Sequence, residues 1–359
     1  MSGAGSVRRF GRRLITIPVY VTLLAVALSV LPLTLLLAAS VDVARHSPWA
    51  VTRSVLFFTW YLLCEAGGIV ASFALWLLGR IVRVARNERY LRWHFRLQCL
   101  WARALLGGAA TIFGMRFEVE GDEDIGAGPV LLFMRHASVG DTVFPAVFLS
   151  DRHGLRLRYV MKRELLWDPC LDIVGNRIPN YFVHRGGADG AREIAGITRL
   201  ADGMKPGEGV LLFPEGTRFT EQKRSRVLER LAKGDDSILE ANARSLVHTL
   251  PPRLGGALAL LERRPDADVL FCAHVGFDNV TSYSKFLRGG LVRATIKVIF
   301  WRIPAADVPS DREARTSWLF DQWRRVDAWI AEQKGQRSVP RMGLMHTQEG
   351  EEQRSAVAL

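Results

Sequence analysis

The sequence lacks paired cysteines and the short motifs of several common enzyme classes. Its four cysteines, Cys64, Cys99, Cys170 and Cys272, are widely spaced and form no C-x-x-C pair. This argues against a zinc knuckle or a disulfide framework. The sequence also lacks the H-E-x-x-H pair of zinc proteases, the G-x-S-x-G elbow of serine hydrolases, and internal repeats.

Charged side chains are nearly missing from two long stretches near the N-terminus. Residues 14–41 carry none, and residues 54–79 carry only Glu65. Each stretch exceeds the roughly 20 apolar residues that cross a bilayer. The first is also too long for the apolar part of a typical signal peptide. We therefore predict two transmembrane helices within residues 14–79, joined by a short loop from Asp42 to Arg53.

Basic residues outnumber acidic ones, 48 Lys and Arg against 36 Asp and Glu, which predicts attraction to phosphates. Four arginines lie in the basic segment 1–13, four more lie within 80–89, and the loop between the apolar stretches holds two. The positive-inside rule then places the N-terminus and everything after Gly79 on the cytoplasmic side. No nucleic-acid recognition motif accompanies the charge, so we expect membrane lipids and no nucleic acid as partners.

Residues 80–114 combine basic and apolar side chains. From Arg80 to Arg96 the two kinds alternate, which predicts a basic amphipathic helix on anionic lipid. A solvated helix face is the alternative. The apolar stretch Leu97–Met115 is interrupted by Arg103, so we expect it to be interfacial or packed on the following domain rather than a third span.

From residue 115 to residue 334, short β-rich runs alternate with helical patterns. The predicted strands are Arg116–Glu120, Val130–Met134, Leu157–Met161, Tyr181–Val183, Gly209–Phe213, Val269–Ala273 and Ala294–Phe300. The clearest helical patterns are Ala188–Met204, Phe219–Lys233 and Asp311–Gln333. This order predicts an α/β domain with a mixed, mostly parallel sheet flanked by helices. The polar residues 335–359 are predicted to be a disordered tail.

The first candidate site follows the predicted strand Val130–Met134, where His136 and Asp141 stand five residues apart. Histidine is the natural general base near neutral pH, and a neighbouring carboxylate fixes its tautomer and supports its cation. Five positions on a regular helix diverge by about 140°, so the pair can meet only if His136 lies in the turn before the helix. A helix-capping box, in which Ser138 caps and Asp141 bonds back, is the alternative.

The second candidate site is the string Phe-Pro-Glu-Gly-Thr-Arg at 213–218, after another predicted strand. Proline and glycine enforce a turn, so Glu215, Thr217 and Arg218 should project from the edge of the sheet. An arginine there can hold a phosphate through two parallel donors. An ordinary loop with surface charges is the weaker alternative.

Two further cations and a proline turn complete the set of candidates. Arg185 and Lys162 each follow a predicted strand and could bind phosphate, although a lone cation in such a place is more often solvated. The run Leu250–Arg253 contains two prolines and marks a rigid turn before a helix.

Together these blocks resemble the glycerolipid acyltransferase superfamily, typified by 1-acylglycerol-3-phosphate acyltransferase. Its first motif, a His and an Asp separated by four residues, corresponds to His136 and Asp141, and its third is matched without substitution at 213–218. The looser second and fourth motifs correspond to Phe182 with Arg185 and to Pro252. The resemblance spans about Met115 to Pro309. It is nearest to the branch of lysophosphatidate and lysocardiolipin acyltransferases.

The resemblance implies transfer of a fatty acyl group from acyl-CoA or acyl-carrier protein to the free hydroxyl of a lysophospholipid. The first choice of acceptor is 1-acyl-sn-glycerol-3-phosphate, which would give phosphatidic acid; another lysophospholipid or a glycolipid is the alternative. The acyl thioester would be a co-substrate, and no metal or bound cofactor is expected. Two rival readings are a metallo-hydrolase using His136 and Asp141 as ligands and a catalytically inactive lipid-binding membrane protein.

The same resemblance assigns roles to individual residues. His136 would be the general base, Asp141 would orient it, and backbone N–H groups around 138–140 would bind the oxyanion. The predicted substrate-binding residues are Lys162, Arg185, Glu215, Gly216, Thr217 and Arg218. Two positions depart from the pattern: Arg135 stands where many members have Asn and should tune access to the site, and His184 stands where an acid is common. Glu65 lies outside every motif and is left out of the site.

Overall fold

A seven-stranded sheet lies at the centre of the computed structural model, which describes residues 3–84, 87–138, 140–184, 190–280 and 283–338. Its strands are β1 (Arg116–Glu120), β2 (Val130–Met134), β3 (Arg156–Lys162), β4 (Tyr181–Val183), β5 (Glu208–Leu212), β6 (Asp268–Val275) and β7 (Thr295–Ile303). Across the sheet their order is β1-β7-β6-β2-β5-β3-β4. Every neighbouring pair is parallel except β6 with β7. The predicted mixed, mostly parallel sheet is confirmed.

Helices cover both faces of this sheet. They are α1 (Gly3–Ala44), α2 (Ala50–Ile81), α3 (Glu88–Phe113), α4 (Pro169–Gly175), α5 (Gly190–Arg199), α6 (Glu221–Leu231), α7 (Ser237–Arg244), α8 (Leu254–Arg263), α9 (Tyr283–Leu287) and α10 (Arg312–Ser338). Alternate side chains of β2 enter two separate cores, Leu132 on the side of α3 and Leu131 on the side of α8 and α10. Because β2 is buried on both faces, its sequence is an unbroken apolar run.

The N-terminal hairpin consists of α1 and α2. Over Val7–Ala44 and Ala50–Ile81 these helices are long and apolar enough to cross a membrane, by length and composition. Much of their apolar surface is exposed, as at Leu36 (65%) and Val70 (68%). The basic segment 1–13 is not a separate element, because α1 already begins at Gly3.

Contacts along its whole length attach the hairpin to the domain. At its open end, Arg12 and Arg13 pair with the buried carboxylate of Asp172 in α4. At its closed end, the guanidinium of Arg53 donates to the carbonyl oxygen of Ile112 in α3. The loop predicted between Asp42 and Arg53 therefore lies against the domain, and the crossing of a bilayer stays a prediction.

Three predicted boundaries differ from the structure. The helix predicted over Arg80–Arg96 is wrong at its start, because α2 continues to Ile81 and the side chain of Asn87 caps α3 by accepting from the N–H of Tyr90. The tail predicted over 335–359 is wrong at its start, because α10 continues to Ser338. Residues 339–359 lie outside the described residues. The helix predicted over Ala188–Met204 is shorter as α5, and Ala188 is itself outside the described residues.

Candidate active site

The two main candidate sites lie at the carboxyl ends of adjacent parallel strands. The strands β2 and β5 pair up to Phe133 and Leu212, so the loops that follow leave the sheet side by side. A backbone hydrogen bond joins these two loops, because the N–H of Phe219 donates to the carbonyl oxygen of His136 at 2.8 Å. Such an edge is where open α/β sheets place their ligands.

His136 and Asp141 meet in the turn after β2. The ring Nδ1 of His136 lies 3.1 Å from Oδ1 of Asp141. The other oxygen, Oδ2, accepts the backbone N–H groups of Ala137 at 2.7 Å and Ser138 at 2.8 Å. The bond to the N–H of Ser138 is the return bond of a capping box. The catalytic-pair and the capping-box interpretations of the spacing are therefore both correct: the carboxylate of Asp141 orients the imidazole of His136 and also closes the turn.

The charge on Asp141 fixes the tautomer of His136. Burial opposes that charge, but hydrogen bonds from the rings of His136 and His274 outweigh it and hold the pKa of Asp141 below its usual value. A carboxylate at Nδ1 keeps the imidazole proton there and leaves the lone pair on Nε2. Among the described residues, Nε2 of His136 has no hydrogen-bond partner. It is therefore available to accept a proton.

Glu215 is a buried connection between three loops rather than a projecting side chain. Its Oε1 accepts the backbone N–H of His136 at 3.0 Å, and its Oε2 accepts that of Leu250 at 3.0 Å. Only 2% of the residue is exposed. The expectation that Glu215 projects from the sheet edge is wrong, because two buried N–H donors need an acceptor and this carboxyl supplies both oxygens.

Gly216 lets a cation approach the turn after β5. Its φ is +66°, and a Cβ on it would lie 2.7 Å from Nε of Arg253. The side chains of Arg253 and Arg218 form no hydrogen bond or ion pair within the part of the chain that the structure describes. Thr217 instead accepts from Nζ of Lys223 at 2.9 Å. The proline turn predicted at Leu250–Arg253 thus contributes a guanidinium that the sequence pattern did not single out.

A cavity of about 1430 Å³ connects the two loops to the hairpin. This volume exceeds the range of roughly 300–1,000 Å³ that holds most small ligands. Its apolar lining includes side chains of α2 and α3, for example Phe57, Phe58, Leu105 and Leu106. Its polar lining includes the basic side chains of Lys162, Arg218 and Arg253, the imidazoles of His136 and His184, and the acidic side chains of Glu164, Asp168 and Glu193. The cavity therefore joins an apolar side, a basic side and the unpaired imidazole nitrogen.

Two expectations about the turn after β2 do not hold for the described residues, and Val139 of that turn lies outside them. The N–H of Ser138 already donates to Asp141, and that of Gly140 donates to Oγ of Ser138 at 2.9 Å, so neither is free for an oxyanion. Arg135 does not tune access to the site, because its side chain is fully buried and donates to the carbonyl oxygen of His274 at 2.7 Å. Arg185, predicted to bind phosphate, lies outside the described residues.

Comparisons with known proteins agree on one family. The family model of the Acyltransferase family matches residues 116–253. The 1-acyl-sn-glycerol-3-phosphate acyltransferase of Pseudomonas aeruginosa is 28% identical over 171 residues, covering 46% of this chain and 59% of the relative. Lysocardiolipin acyltransferase 1 of Danio rerio is 23% identical over 307 residues, covering 80% of this chain and 73% of the relative.

A solved structure is also similar to this chain. The crystal structure of the 1-acyl-sn-glycerophosphate (LPA) acyltransferase PlsC from Thermotoga maritima has a TM-score of 0.47 at 13% identity. That similarity covers 76% of this chain and 98% of the PlsC chain. The resemblance stated from the motifs is confirmed by the family match and the sequence relatives. Residues 116–253 are thus an acyltransferase domain by the family match, and the two relatives with acyltransferase names agree with it.

Proposed function

We propose that the chain transfers a fatty acyl group from an acyl thioester to the free hydroxyl of a lysophospholipid. The acceptor of first choice is 1-acyl-sn-glycerol-3-phosphate, and the product is then phosphatidic acid. The observation that supports this proposal is the unpaired Nε2 of His136, backed by Asp141, on a cavity with an apolar and a basic side. The names of the Pseudomonas and Danio relatives support an acceptor of this class.

In the proposed reaction one proton moves from the acceptor's hydroxyl to His136 and then to the leaving thiolate. Nε2 of His136 takes the proton of the acceptor's hydroxyl while the hydroxyl oxygen attacks the thioester carbonyl carbon. Asp141 stabilises the imidazolium that forms. The C–S bond then breaks, and the thiolate takes the proton from the imidazolium to leave as a thiol. The thioester supplies the driving force, so we propose no cofactor. The proposed donor is acyl-CoA or acyl-carrier protein.

The acceptor's phosphate is proposed to bind on the basic side of the cavity. Arg218 and Arg253 line it with guanidinium groups that have no partner among the described residues, and Lys162 lines it as well. Arginine binds phosphate through two parallel N–H donors. Arg185 stays a prediction from the family motif.

The chain is proposed to work at a membrane, with the N-terminus and the catalytic domain on the cytoplasmic side. Exposed apolar side chains of α1 and α2 would insert into lipid. The pairing of Arg12 and Arg13 with Asp172 supports a common side, because it holds the start of α1 against α4.

The test uses the purified full chain in detergent micelles with a panel of lysolipids. The donor is a fatty acyl thioester of CoA or of acyl-carrier protein, labelled in its acyl group. We expect labelled phosphatidic acid from 1-acyl-sn-glycerol-3-phosphate, and we expect His136→Ala to lower the rate by about 10²–10⁴-fold. His153→Ala is the matched control, because His153 is a partly exposed histidine whose ring contacts Asp122. Near-normal transfer by His136→Ala would refute the mechanism.

Two other outcomes would select the rival functions. If the protein consumes no thioester with any lysolipid of the panel, a lipid-binding protein without catalysis is favoured. If activity disappears with a chelator and returns with a metal, the metallo-hydrolase is favoured. The site argues against the second, because three N–H donors already occupy both oxygens of Asp141.

A further inference from the structure

A second histidine contacts the carboxylate of Asp141. His274 lies near the end of β6 and is fully buried. Its Nε2 is 3.4 Å from Oδ2 of Asp141 and 3.2 Å from the carbonyl oxygen of Arg135. Both neighbours are acceptors, so Nε2 carries a proton, which it shares between the carbonyl oxygen of Arg135 and Oδ2 of Asp141. Asp141 therefore lies between two imidazole rings, with His136 on Oδ1 and His274 on Oδ2.

We propose that His274 is a positioning residue for the catalytic pair, holding Oδ2 of Asp141 so that Oδ1 faces Nδ1 of His136. This inference rests on the proposed function, because the pair is catalytic only if the chain transfers acyl groups. His274 does not line the cavity with the substrate-facing residues and would act through Asp141 alone.

The ring of His274 is suited to be a neutral, fixed donor. Its Nδ1 is buried and has no hydrogen-bond partner among the described residues. A charged ring would add a second N–H there with nothing to accept it, which is unfavourable in a buried place. The edge-on ring of Phe144, with a centroid distance of 5.4 Å and an interplanar angle of 90°, restricts the imidazole further.

Arg135 fixes the backbone on which His274 stands. Its guanidinium donates to the carbonyl oxygen of His274 at 2.7 Å and pairs with Asp278 at 2.6 Å. Its own N–H donates to the carbonyl oxygen of Cys272 at 3.0 Å, which extends the pairing of β2 with β6. The other donors to Oδ2, the N–H groups of Ala137 and Ser138, belong to the same turn as Asp141. His274 is thus the donor that ties the carboxylate to the sheet.

The proposed test replaces the donor with and without a substitute. His274→Met keeps similar volume and removes the donor, whereas His274→Gln places an amide N–H near the position of Nε2. We expect His274→Met to lower kcat about tenfold, the effect of losing one hydrogen bond to a charged group, with KM changed less than about twofold. We expect His274→Gln to recover most of that loss.

The pH dependence separates positioning from simple structural support. Without the bond from His274, the charge of Asp141 is less compensated and holds the proton of His136 more strongly. The acid limb of the kcat/KM profile should therefore move to higher pH in His274→Met and stay in place in His274→Gln. The other ionisable groups around the pair, which must be unchanged between variants, are Arg135, Glu215, Cys272 and Asp278.

A measurement that needs no catalytic activity can test the role of His274 separately from the proposed acyl transfer. The ring resonances of His136, followed by NMR during a pH titration of the purified chain, should shift their midpoint upward in His274→Met alone. If the unaltered chain transfers no acyl group, the proposed function fails, and this midpoint still decides the role of His274. An unchanged midpoint and acid limb in a folded His274→Met chain would overturn the inference, whatever happens to kcat.

Discussion

At the scale of single residues, the carboxylate of Asp141 has two tasks that different variants can separate. Its Oδ1 orients His136, while its Oδ2 accepts backbone N–H groups that close the turn. We expect Asp141→Asn to lower kcat about 10²-fold or more, because the imidazolium loses its counter-charge. We also expect it to lower the free energy of unfolding by about 1–2 kcal/mol, because an amide accepts through one oxygen only.

Comparison with His136→Ala makes the prediction for Asp141 specific. His136→Ala removes the base and leaves the capping bonds, so its rate should fall while its thermal midpoint stays close to that of the unaltered chain. The double variant should be little slower than His136→Ala, because the two residues act as one unit. Rates and thermal unfolding of all three proteins check this. Additive rate losses would mean that Asp141 does not act through His136.

Glu215 predicts a pH dependence of stability. Burial raises its pKa to about 8, although Arg135 and two backbone N–H groups favour the charged form. The folded chain then holds this proton at a pH where the unfolded chain has lost it. Stability from this group is complete below about pH 4.5 and is lost as the pH rises through about 8, by at most about 1.4 kcal/mol per pH unit.

We therefore expect Glu215→Gln to reduce the decline in stability between about pH 5 and pH 8. The variant should also be less stable at every pH, because its amide NH₂ must face one of the two N–H donors that the carboxylate now accepts. Denaturant unfolding of both proteins across this pH range measures the effect. If the free energy of unfolding falls with pH equally steeply in the variant and in the unaltered chain, Glu215 is ionised in the folded chain at neutral pH.

At the scale of elements, the sequence predicts strands better than their surroundings. The limits of β1, β2 and β4 coincide with the predicted runs, because alternation of charged and apolar residues marks β1, and short apolar runs bounded by polar residues or turns mark β2 and β4. The sequence does not predict the start of α3, because basic residues continue across the break between α2 and Asn87 and hide the cap. Such a break is decided by how α2 and α3 pack, which a local pattern does not contain.

The candidate site shows the same limit. His136 and Asp141 are close in sequence, so a local spacing was enough to pair them. His274 and Arg253 come from β6 and from the turn before α8, and only the order of strands in the sheet brings them to the same edge. Their sequence signal is weak, one polar residue at the end of an apolar run and one cation after two prolines.

The turn after β5 predicts a selective loss of acceptor binding. Alanine at Gly216 would place a Cβ 2.7 Å from Nε of Arg253 and force a φ of +66° on a residue that resists it. We expect Gly216→Ala to raise KM for the phosphate-bearing acceptor about tenfold, since Arg253 must move off the turn. Initial rates at varied acceptor and fixed thioester check this.

Gly203→Ala is a control that adds the backbone strain of a positive φ without displacing Arg253. Gly203 has a similar φ of +60°, but an added Cβ there meets nothing within 4 Å. It should lower stability by about 1–2 kcal/mol, as a left-handed residue does, and leave KM unchanged. If the two variants have the same KM, the position of Arg253 does not matter for the acceptor.

At the scale of the whole molecule, the hairpin forms part of the site as well as an apolar surface. Side chains of α2 line the same cavity as His136, and α2 packs on α3, whose side chains share a core with Leu132 of β2. The packing is close where α2 crosses α3: Nε1 of Trp60 donates to the carbonyl oxygen of Ala104 at 2.9 Å, over Gly108. The shape of the apolar side of the cavity should therefore depend on how the hairpin is seated on α3.

Two adjacent glycines in α3 test this dependence. A Cβ on Gly108 would lie 1.9 Å from Nε1 of Trp60, whereas a Cβ on Gly107 meets nothing within 4 Å. Both replacements gain up to about 1 kcal/mol of helix propensity, so Gly107→Ala should raise the thermal midpoint and keep activity. Gly108→Ala must move Trp60 and break its bond to Ala104, so we expect a lower midpoint and a weaker response of the rate to acyl chain length. Identical behaviour of the two variants in detergent would mean that α2 is not packed on α3 in the working protein, and the cavity would then lack the side that the hairpin provides.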